Sequence, residues 1–271
     1  MPNLDREGLA KALIPVAQEA GRAIMRHYRD GVATEYKENW SPVTAADRDA
    51  ETIILAALAK ILPGVPVVAE EEAAAGRIPA TGAEFLLVDP LDGTREFVNK
   101  RDEFTVNIAL VKDRMPVFGL VYAPATPGQE LFVTLGAERC AQGRLDPDGT
   151  PPVDPLSALT PIRARTVDTG GLIVLASRSH MDAETKAFIA RHNVKETRNA
   201  GSSLKFCLIA RGDADLYPRF GPTMEWDTAA GQAVLAAAGG EVTMLDGSPF
   251  LYGKTDKAFL NPGFLAWGRR A

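Results

Sequence analysis

The chain has 271 residues, and its 30 Lys and Arg against 35 Asp and Glu give a formal net charge of −5 at pH 7. This balance excludes a nucleic-acid binder that works by neutralising phosphates, because such a protein needs a basic surplus or stripe. Hydrophobic residues make up 46% and charged residues 24% of the chain, which is typical of a globular protein with a sizeable buried core.

The first part of the chain predicts two amphipathic helices. Apolar residues recur at three- and four-residue steps over residues 4–29, and Pro15 is expected to kink this helix. Thr44 is a candidate N-cap for a second helix at residues 45–61. The next segment changes to β-rich runs, which predict strands at residues 85–88, 104–110, 117–122 and 130–134.

The second part of the chain predicts shorter alternating elements. Residues 141–169 are rich in proline and have little periodicity, so we place a boundary there. The boundary separates an N-terminal α+β metal-binding domain at 1–150 from a C-terminal α/β substrate-binding domain at 151–271. In the second domain we expect strands at 172–176 and 213–217 and helices at 183–191, 203–210 and 227–238.

The cysteines and the hydropathy indicate the compartment. Cys140 and Cys207 are far apart and in no metal-binding spacing, which favours a reduced protein with incidental thiols. No stretch approaches the roughly 20 apolar residues of a membrane-spanning helix, and the first residues lack a signal-peptide layout. We therefore expect a cytoplasmic protein without an integral membrane segment, and peripheral attachment at the inner membrane stays open.

Two acids directly follow the buried run at residues 85–88, in the motif Asp89-Pro90-Leu91-Asp92-Gly93-Thr94. Because Pro90 fixes φ and Gly93 permits a tight turn, both carboxylates can face one point at the end of the strand. Like charges held together are tolerated when a cation neutralises them, and oxygen ligands without Cys or His favour magnesium. A surface turn with an Asx cap is the alternative, and the motif alone leaves both open.

Three further acidic elements are weak signals when each is taken alone. Taken alone, the run Glu70-Glu71-Glu72 favours a solvated charged surface. Asp47, in the first turn of the second helix, is explained by the helix dipole. Asp227, in the segment Trp226-Asp227-Thr228-Ala229-Ala230-Gly231, is explained by a helix N-cap.

The combination is specific, because the Asp89–Thr94 and Trp226–Gly231 motifs resemble the two signature motifs of the inositol-monophosphatase-like, lithium-sensitive phosphatase superfamily. The glutamate doublet and the segment Thr44-Ala45-Ala46-Asp47 fall where that family has them. More narrowly, the sequence resembles the bacterial 3'(2'),5'-bisphosphate nucleotidases of the CysQ type over nearly its whole length. Further supporting segments are residues 41–47, 96–97, 103–110, 177–180, 201–207, 216–223 and 259–264.

The resemblance implies a layered αβαβα fold of the sugar-phosphatase type with two sub-domains. It implies two or three Mg²⁺ ions, held by Glu70, Asp89, the Leu91 carbonyl, Asp92 and Asp227. Its implied catalytic residues are Glu70, Thr94 and Asp47, of which the last two orient and activate the attacking water. Its implied substrate-binding residues are Glu70, Leu91, Asp92, Gly93, Thr94, Ser177, His180, Ser202, Lys205 and Asp227.

The mechanism that follows is an in-line attack by a metal-activated water, without a phosphorylated side chain. Lys205 is expected to pair with the 5'-phosphate that stays on the substrate, and a surface lysine is the alternative. An ordinary loop histidine is the alternative for His180. Arg95 stands where the bacterial nucleotidases usually have lysine, which keeps the charge and changes the hydrogen-bond geometry.

The predicted reaction is hydrolysis of the 3'-phosphate of adenosine 3',5'-bisphosphate to AMP and phosphate, in sulfate assimilation. The partner is then a small nucleotide and no nucleic acid, and the protein is a monomer or a homodimer. An inositol monophosphatase or a histidinol phosphatase is the enzymatic alternative. A catalytically silent nucleotide-binding sensor is the alternative from another class, which is disfavoured because every metal position retains its acid and Thr94 is present.

Overall fold

The computed structural model of the chain describes residues 5–36, 42–177 and 182–270. Within these ranges the helices are α1 Arg6–Asp30, α2 Ala45–Ile61, α3 Glu70–Ala74, α4 Thr94–Val98, α5 Ala183–Ala190, α6 Leu204–Ala210, α7 Glu225–Ala237 and the 3₁₀ helix Thr255–Lys257. The strands are β1 Thr34–Tyr36, β2 Pro42–Thr44, β3 Val67–Ala69, β4 Glu84–Asp92, β5 Thr105–Lys112, β6 Met115–Ala123, β7 Glu130–Gly136, β8 Arg139–Arg144, β9 Thr160–Ile162, β10 Leu172–Ser177, β11 Val194–Ala200, β12 Leu216–Arg219, β13 Thr223–Met224, β14 Glu241–Met244, β15 Leu260–Asn261 and β16 Phe264–Trp267.

The larger of the two main sheets has seven strands in the order β3-β4-β5-β6-β7-β8-β9. Strands β3 and β4 are parallel, and the other neighbouring pairs are antiparallel. Side chains alternate between two cores along β4, because Leu86 and Val88 pack with α1 and α2 whereas Phe85 and Leu87 pack with α6 and α7. Both faces of the sheet are therefore buried, which explains its nearly continuous apolar runs.

Helices α1 and α2 cover one face of the seven-stranded sheet. Helix α1 begins at Asp5, whose side chain accepts a hydrogen bond from the Gly8 N–H at 2.8 Å. It continues through Pro15, where a kink was expected. The buried apolar stripe on both sides of Pro15 outweighs the single hydrogen bond that proline removes.

Helices α6 and α7 lie between the seven-stranded sheet and a second, five-stranded sheet with the order β11-β10-β12-β16-β14. Helix α5 packs on the outer face of this second sheet through Phe188 and Ile189. The layers therefore follow the order αβαβα, which confirms the predicted fold. No helix of the described ranges combines the length and the apolar character needed to span a bilayer.

Two predicted boundaries in the second half are displaced. The strand expected at 213–217 is β12, which begins at Leu216 because the buried Asp215 before it accepts hydrogen bonds from Arg165 and from the Ile173 N–H. Helix α7 begins at Glu225, two residues earlier than expected. Strand β9, which lies beyond residue 150, is the outer strand of the seven-stranded sheet, and the division into two domains at residue 150 stays a prediction.

Candidate active site

A cavity of about 280 Å³ lies where the end of β4 meets the first turns of α3, α6 and α7. It brings together most of the residues singled out in the sequence, although they come from segments far apart in the chain. The lining includes Glu70, Asp89, Leu91, Asp92, Gly93, Thr94, Ser177, Ser202, Lys205 and Asp227. His180 belongs to residues 178–181, which are outside the described part of the chain.

Asp89 and Asp92 reach the cavity because β4 becomes irregular at its end. The register between β4 and β5 shifts between these two acids, and the Leu91 N–H donates to Asp89 Oδ1 at 3.0 Å. Gly93 then reverses the chain with a φ of 94°, a conformation that favours glycine. A Cβ at Gly93 would collide with Ser202 Oγ, so the turn also requires a residue without a side chain at this position.

Asp92 and Asp227 are each oriented by a backbone N–H group. Oδ2 of Asp92 accepts from the Ser203 N–H at 2.8 Å, immediately before α6. Oδ2 of Asp227 accepts from the Met224 N–H at 2.8 Å. Asp227 is therefore the third residue of α7, and the interpretation of this acid as the N-cap is wrong because Met224 occupies that position.

The acids of the cavity have raised pKa values because they are buried and repel one another. Burial is the largest cause for Asp89, followed by the charges of Glu70, Asp92 and Asp227. Burial raises the pKa of Asp92 to about 6, although the Lys205 ammonium opposes the shift. The pKa of Asp227 is also raised by burial and then by Asp92 and Glu70. The site therefore favours a bound cation.

The donor set fits a hard cation such as Mg²⁺. It consists of carboxylates from three segments of the chain, joined by the Leu91 carbonyl at the cavity wall. Among the described residues, no lysine or arginine forms an ion pair with Asp89, Asp92 or Asp227. Across residues 5–36, 42–177 and 182–270, no three His, Cys, Asp or Glu side chains already form a closed ligand group.

Asp47 and Thr94 are joined directly, as the sequence predicts. Thr94 Oγ1 donates to Asp47 Oδ1 at 3.0 Å and lies 3.3 Å from the Leu91 carbonyl. Asp47 is buried at the start of α2, where its Oδ2 accepts from the N–H and the hydroxyl of Thr44, both at 2.8 Å. Thr44 accepts in turn from the Ala46 N–H, which confirms it as the N-cap of α2.

Lys205 is buried, with 3% of its surface exposed, so the surface-lysine alternative is wrong. Its ammonium donates to the carbonyls of Ala200 at 3.2 Å and Ser202 at 2.7 Å, and it lies 4.9 Å from the centre of the Tyr217 ring. Burial lowers its pKa to about 8, and the Asp92 charge limits this shift. Lys205 therefore braces the loop before α6 at the cavity wall.

Ser202 lies beneath the turn that carries Asp92. Its hydroxyl is within hydrogen-bond distance of the backbone carbonyls of Asp92, at 2.7 Å, and of Glu103, at 2.9 Å. The structure thus places this hydroxyl on the backbone of the turn. Ser177 is buried at the end of β10 and lines the cavity.

Several residues of the site were missed in the sequence. Ser203 holds Asp92, and Asn107 Nδ2 donates to Ser203 Oγ at 2.8 Å. Arg219 is buried in the cavity wall, where its guanidinium donates to the carbonyls of Gly221 and Pro222. A serine at the start of a predicted helix was a usable signal for Ser203, whereas nothing local pointed to Asn107.

The two described histidines lie away from the cavity. His27 Nε2 lies 2.8 Å from Asp49 Oδ2 on the surface between α1 and α2. His192 Nδ1 lies 2.9 Å from the Phe188 carbonyl at the end of α5. Neither position brings an imidazole to the acids.

The chain is similar to known proteins over nearly its whole length. Residues 5–266 match the model of the inositol monophosphatase family. The 3'(2'),5'-bisphosphate nucleotidases CysQ of Salmonella typhimurium and Escherichia coli K12 are each 42% identical to the chain, over 92% of it and 95% of the relative. The nucleotidase CysQ of Buchnera aphidicola is 36% identical, over 97% of the chain and 95% of the relative.

Solved structures extend the comparison. The crystal structure of CysQ from Bacteroides thetaiotaomicron, a bacterial member of the inositol monophosphatase family, superimposes with a TM-score of 0.81 at 37% identity. That match covers 99% of this chain and 100% of the other. The IMPase of Thermotoga maritima matches with a TM-score of 0.74 at 24% identity, which concerns the fold alone.

Proposed function

Because the chain belongs to the inositol monophosphatase family, we propose that it is a magnesium-dependent 3'(2'),5'-bisphosphate nucleotidase. It removes the 3'-phosphate of adenosine 3',5'-bisphosphate and leaves AMP and phosphate, a reaction that recycles this nucleotide during sulfate assimilation. Nucleotidase relatives with 36–42% identity cover nearly the whole chain. The observation that carries the proposal is one cavity whose lining combines the acids with two buried cations, Lys205 and Arg219, which we call its cationic wall.

The acids are the proposed magnesium ligands. The carboxylates of Glu70, Asp89, Asp92 and Asp227, together with the Leu91 carbonyl, would hold two or three Mg²⁺ ions. When bound, Mg²⁺ neutralises the buried carboxylates, lowers the pKa of coordinated water and polarises phosphate oxygens. The hydrogen bonds from Leu91, Ser203 and Met224 to the three aspartates fix their carboxylates before any ion arrives.

Thr94 and Asp47 are the proposed pair that orients the attacking water. The Thr94 hydroxyl donates a hydrogen bond to Asp47 Oδ1. Its oxygen lone pairs are therefore left to accept a hydrogen bond from that water. Asp47 cannot rotate away, because its other oxygen is held by the N–H and the hydroxyl of Thr44. The water is thereby aligned for attack on the phosphorus, with no covalent enzyme intermediate.

The cationic wall is the proposed site of the phosphate that stays on the nucleotide. Lys205 and Arg219 are both buried, and a desolvated cation binds an anion more strongly than an exposed one. The N–H groups of Gly93 and Thr94 are assigned to the oxygens of the phosphate that leaves. Ser177, His180 and Ser202 stay predicted substrate contacts.

Phosphate release from adenosine 3',5'-bisphosphate, inositol 1-phosphate and histidinol phosphate, with and without Mg²⁺, tests the proposal. We expect the nucleotide to be hydrolysed fastest, and we expect EDTA to stop turnover. Millimolar lithium should inhibit, as the family resemblance implies. Faster hydrolysis of inositol 1-phosphate would reject the substrate, and an unchanged rate in Asp89→Asn would reject the mechanism. Binding of the nucleotide without any turnover would favour the silent sensor.

A further inference from the structure

Helix α2 carries two buried carboxylates on one face. Asp47 and Glu51 are one helical turn apart, and they are 1% and 4% exposed. Asp47 reaches the start of α4, where it accepts from the Thr94 hydroxyl. Glu51 reaches the start of α3. One rigid helix therefore contacts two separate segments that carry proposed catalytic residues.

Glu51 caps α3 from outside that helix. Its Oε2 accepts from the Glu71 N–H and its Oε1 accepts from the Glu72 N–H, each at 2.9 Å. These are among the first N–H groups of the helix, which lack partners within it. Ala69, the residue at the N-cap position of α3, has no side chain that could accept them, and it is itself buried in the core.

A carboxylate is a costly cap at this position. The pKa of Glu51 is raised to about 7, chiefly by burial; the hydrogen bonds from the Glu71 and Glu72 N–H groups oppose this shift, and the charges of Glu71 and Glu72 add to it. A neutral serine or threonine at position 69 would satisfy one N–H at lower cost. A single bidentate carboxylate, by contrast, fixes two successive peptide groups in direction as well as in position.

Glu70 is the first residue of α3, and its position depends on this cap. It lines the cavity, and its charge is the largest charge contribution to the raised pKa of Asp89, so the two acids lie close together. The direction of the Glu70 side chain follows from the backbone of the first turn, which is the turn that Glu51 holds. Movement of α3 by a fraction of an ångström would misplace this carboxylate.

We propose that Glu51 is a positioning residue for Glu70, as Asp47 is for Thr94. It fixes the first turn of α3 so that Glu70 presents its carboxylate to the magnesium site. The proposal rests on the proposed function, because that function makes Glu70 a magnesium ligand. Partners that hold metal ligands in this way are typically worth about 10- to 100-fold in metal affinity.

Glu51→Gln tests the proposal, because the amide keeps the shape and offers one acceptor in place of two. Mg²⁺ binding is measured by calorimetry on the protein without substrate, and the Mg²⁺ dependence of hydrolysis is measured in parallel. We expect Mg²⁺ affinity to fall by about 10- to 100-fold and the half-saturating Mg²⁺ concentration to rise by the same factor. At saturating Mg²⁺, kcat and the KM for the nucleotide should return towards the wild-type values, which general unfolding would not produce.

Glu72→Gln is the matched control, because it removes the same charge from α3 itself. The Glu72 side chain pairs with Arg77 at the surface. The Mg²⁺ affinity of the Glu72→Gln variant should therefore equal that of the wild type. Equal weakening in the two variants would overturn the proposal, because charge alone would then be responsible. An unchanged Mg²⁺ affinity in Glu51→Gln would overturn it as well.

Two further arms keep the result decisive. If Glu51→Gln does not fold, Glu51→Asp replaces it, since this change keeps the charge and withdraws the carboxylate by one methylene. The wild-type arm separates this proposal from the proposed function. Tight Mg²⁺ binding with no nucleotide hydrolysis would reject the function and leave the role of Glu51 measurable, whereas no Mg²⁺ binding by the wild type would reject both.

Discussion

The backbone N–H of Ser203 donates to Oδ2 of Asp92 at 2.8 Å, across 111 residues of sequence. Asn107 on β5 donates to the Ser203 hydroxyl, and that hydroxyl lies 2.7 Å from the backbone carbonyl of Asp227. Ser203 thus ties β4, β5, α6 and α7 to one point beside the acids. The site is complete only when segments from both sides of residue 150 pack together.

Thr94→Val should abolish most of the turnover. Valine has nearly the same shape as threonine, but it cannot donate to Asp47 or accept a proton from the attacking water. We expect kcat to fall by about 10²- to 10⁴-fold, with a smaller change in KM, in steady-state phosphate release. Thr94→Ser keeps the hydroxyl and should retain most of the activity. Equal losses in the two variants would contradict the assigned role.

Gly93→Ala should damage the site, whereas Gly76→Ala should only strain the backbone. Both glycines have positive φ values, 94° and 77°, so backbone strain alone should lower the free energy of unfolding of each alanine variant by about 1–2 kcal/mol. A Cβ at Gly93 also meets Ser202 Oγ, whereas a Cβ at Gly76 meets open space. Urea unfolding should therefore show a larger destabilisation in Gly93→Ala than in Gly76→Ala, and phosphate release should show a loss of turnover confined to Gly93→Ala. Normal turnover in that variant would argue against a packed turn.

The acids predict how the stability of the magnesium-free protein depends on pH. The pKa of Asp92 rises from its ordinary 3.8 to about 6 on folding, and those of Asp89 and Asp227 also rise. The folded state then binds more protons than the unfolded state between the two values, so this contribution to stability is lost as the pH rises from about 4 to about 6.

Asp92→Asn isolates that contribution, because it removes the titrating group. In EDTA, the free energy of unfolding of Asp92→Asn should rise relative to that of the wild type as the pH rises through this window, so that the variant is the more stable protein at pH 7. In saturating Mg²⁺ the wild type should be the more stable protein at pH 7, because the ion neutralises its carboxylates. Parallel pH curves for the two proteins in EDTA would contradict the raised pKa.

Lys205→Met tests the cationic wall. The variant lacks the ammonium that donates to the carbonyls of Ala200 and Ser202. The loss of these hydrogen bonds should lower the free energy of unfolding by about 1–3 kcal/mol. The KM for adenosine 3',5'-bisphosphate should rise by about 10- to 100-fold, and the KM for adenosine 3'-monophosphate should change little. Equal changes for both nucleotides would show that Lys205 only braces the loop.

The acids of the site were predicted from the family resemblance, which the combination of several short motifs carries and which no one of these motifs carries alone. Asp89 and Asp92 follow a buried strand, and Thr44 and Asp47 open a helix, so neighbouring residues determine where these side chains point. The layered order of helices and sheets followed from the family resemblance, and the alternating apolar runs supported its strands.

The residues that hold the acids could not be predicted in this way. Glu51 acts on α3 across about 20 residues, and Asn107 acts on Ser203 across 96, so their partners depend on packing between layers. For Lys205 the sequence predicted a partner for the substrate phosphate, with a surface lysine as the alternative, and it did not predict the two carbonyls that the ammonium contacts. Its burial follows from two backbone carbonyls in the preceding loop, whose directions no local pattern specifies.

The most direct test of the central claim is a crystal structure of the protein soaked in Mn²⁺, a scattering substitute for Mg²⁺. We predict anomalous peaks bound by the carboxylate oxygens of Glu70, Asp89, Asp92 and Asp227, and the number of peaks gives the number of ions. Peaks elsewhere, or these four side chains pointing apart around an empty cavity at saturating Mn²⁺, would contradict the account.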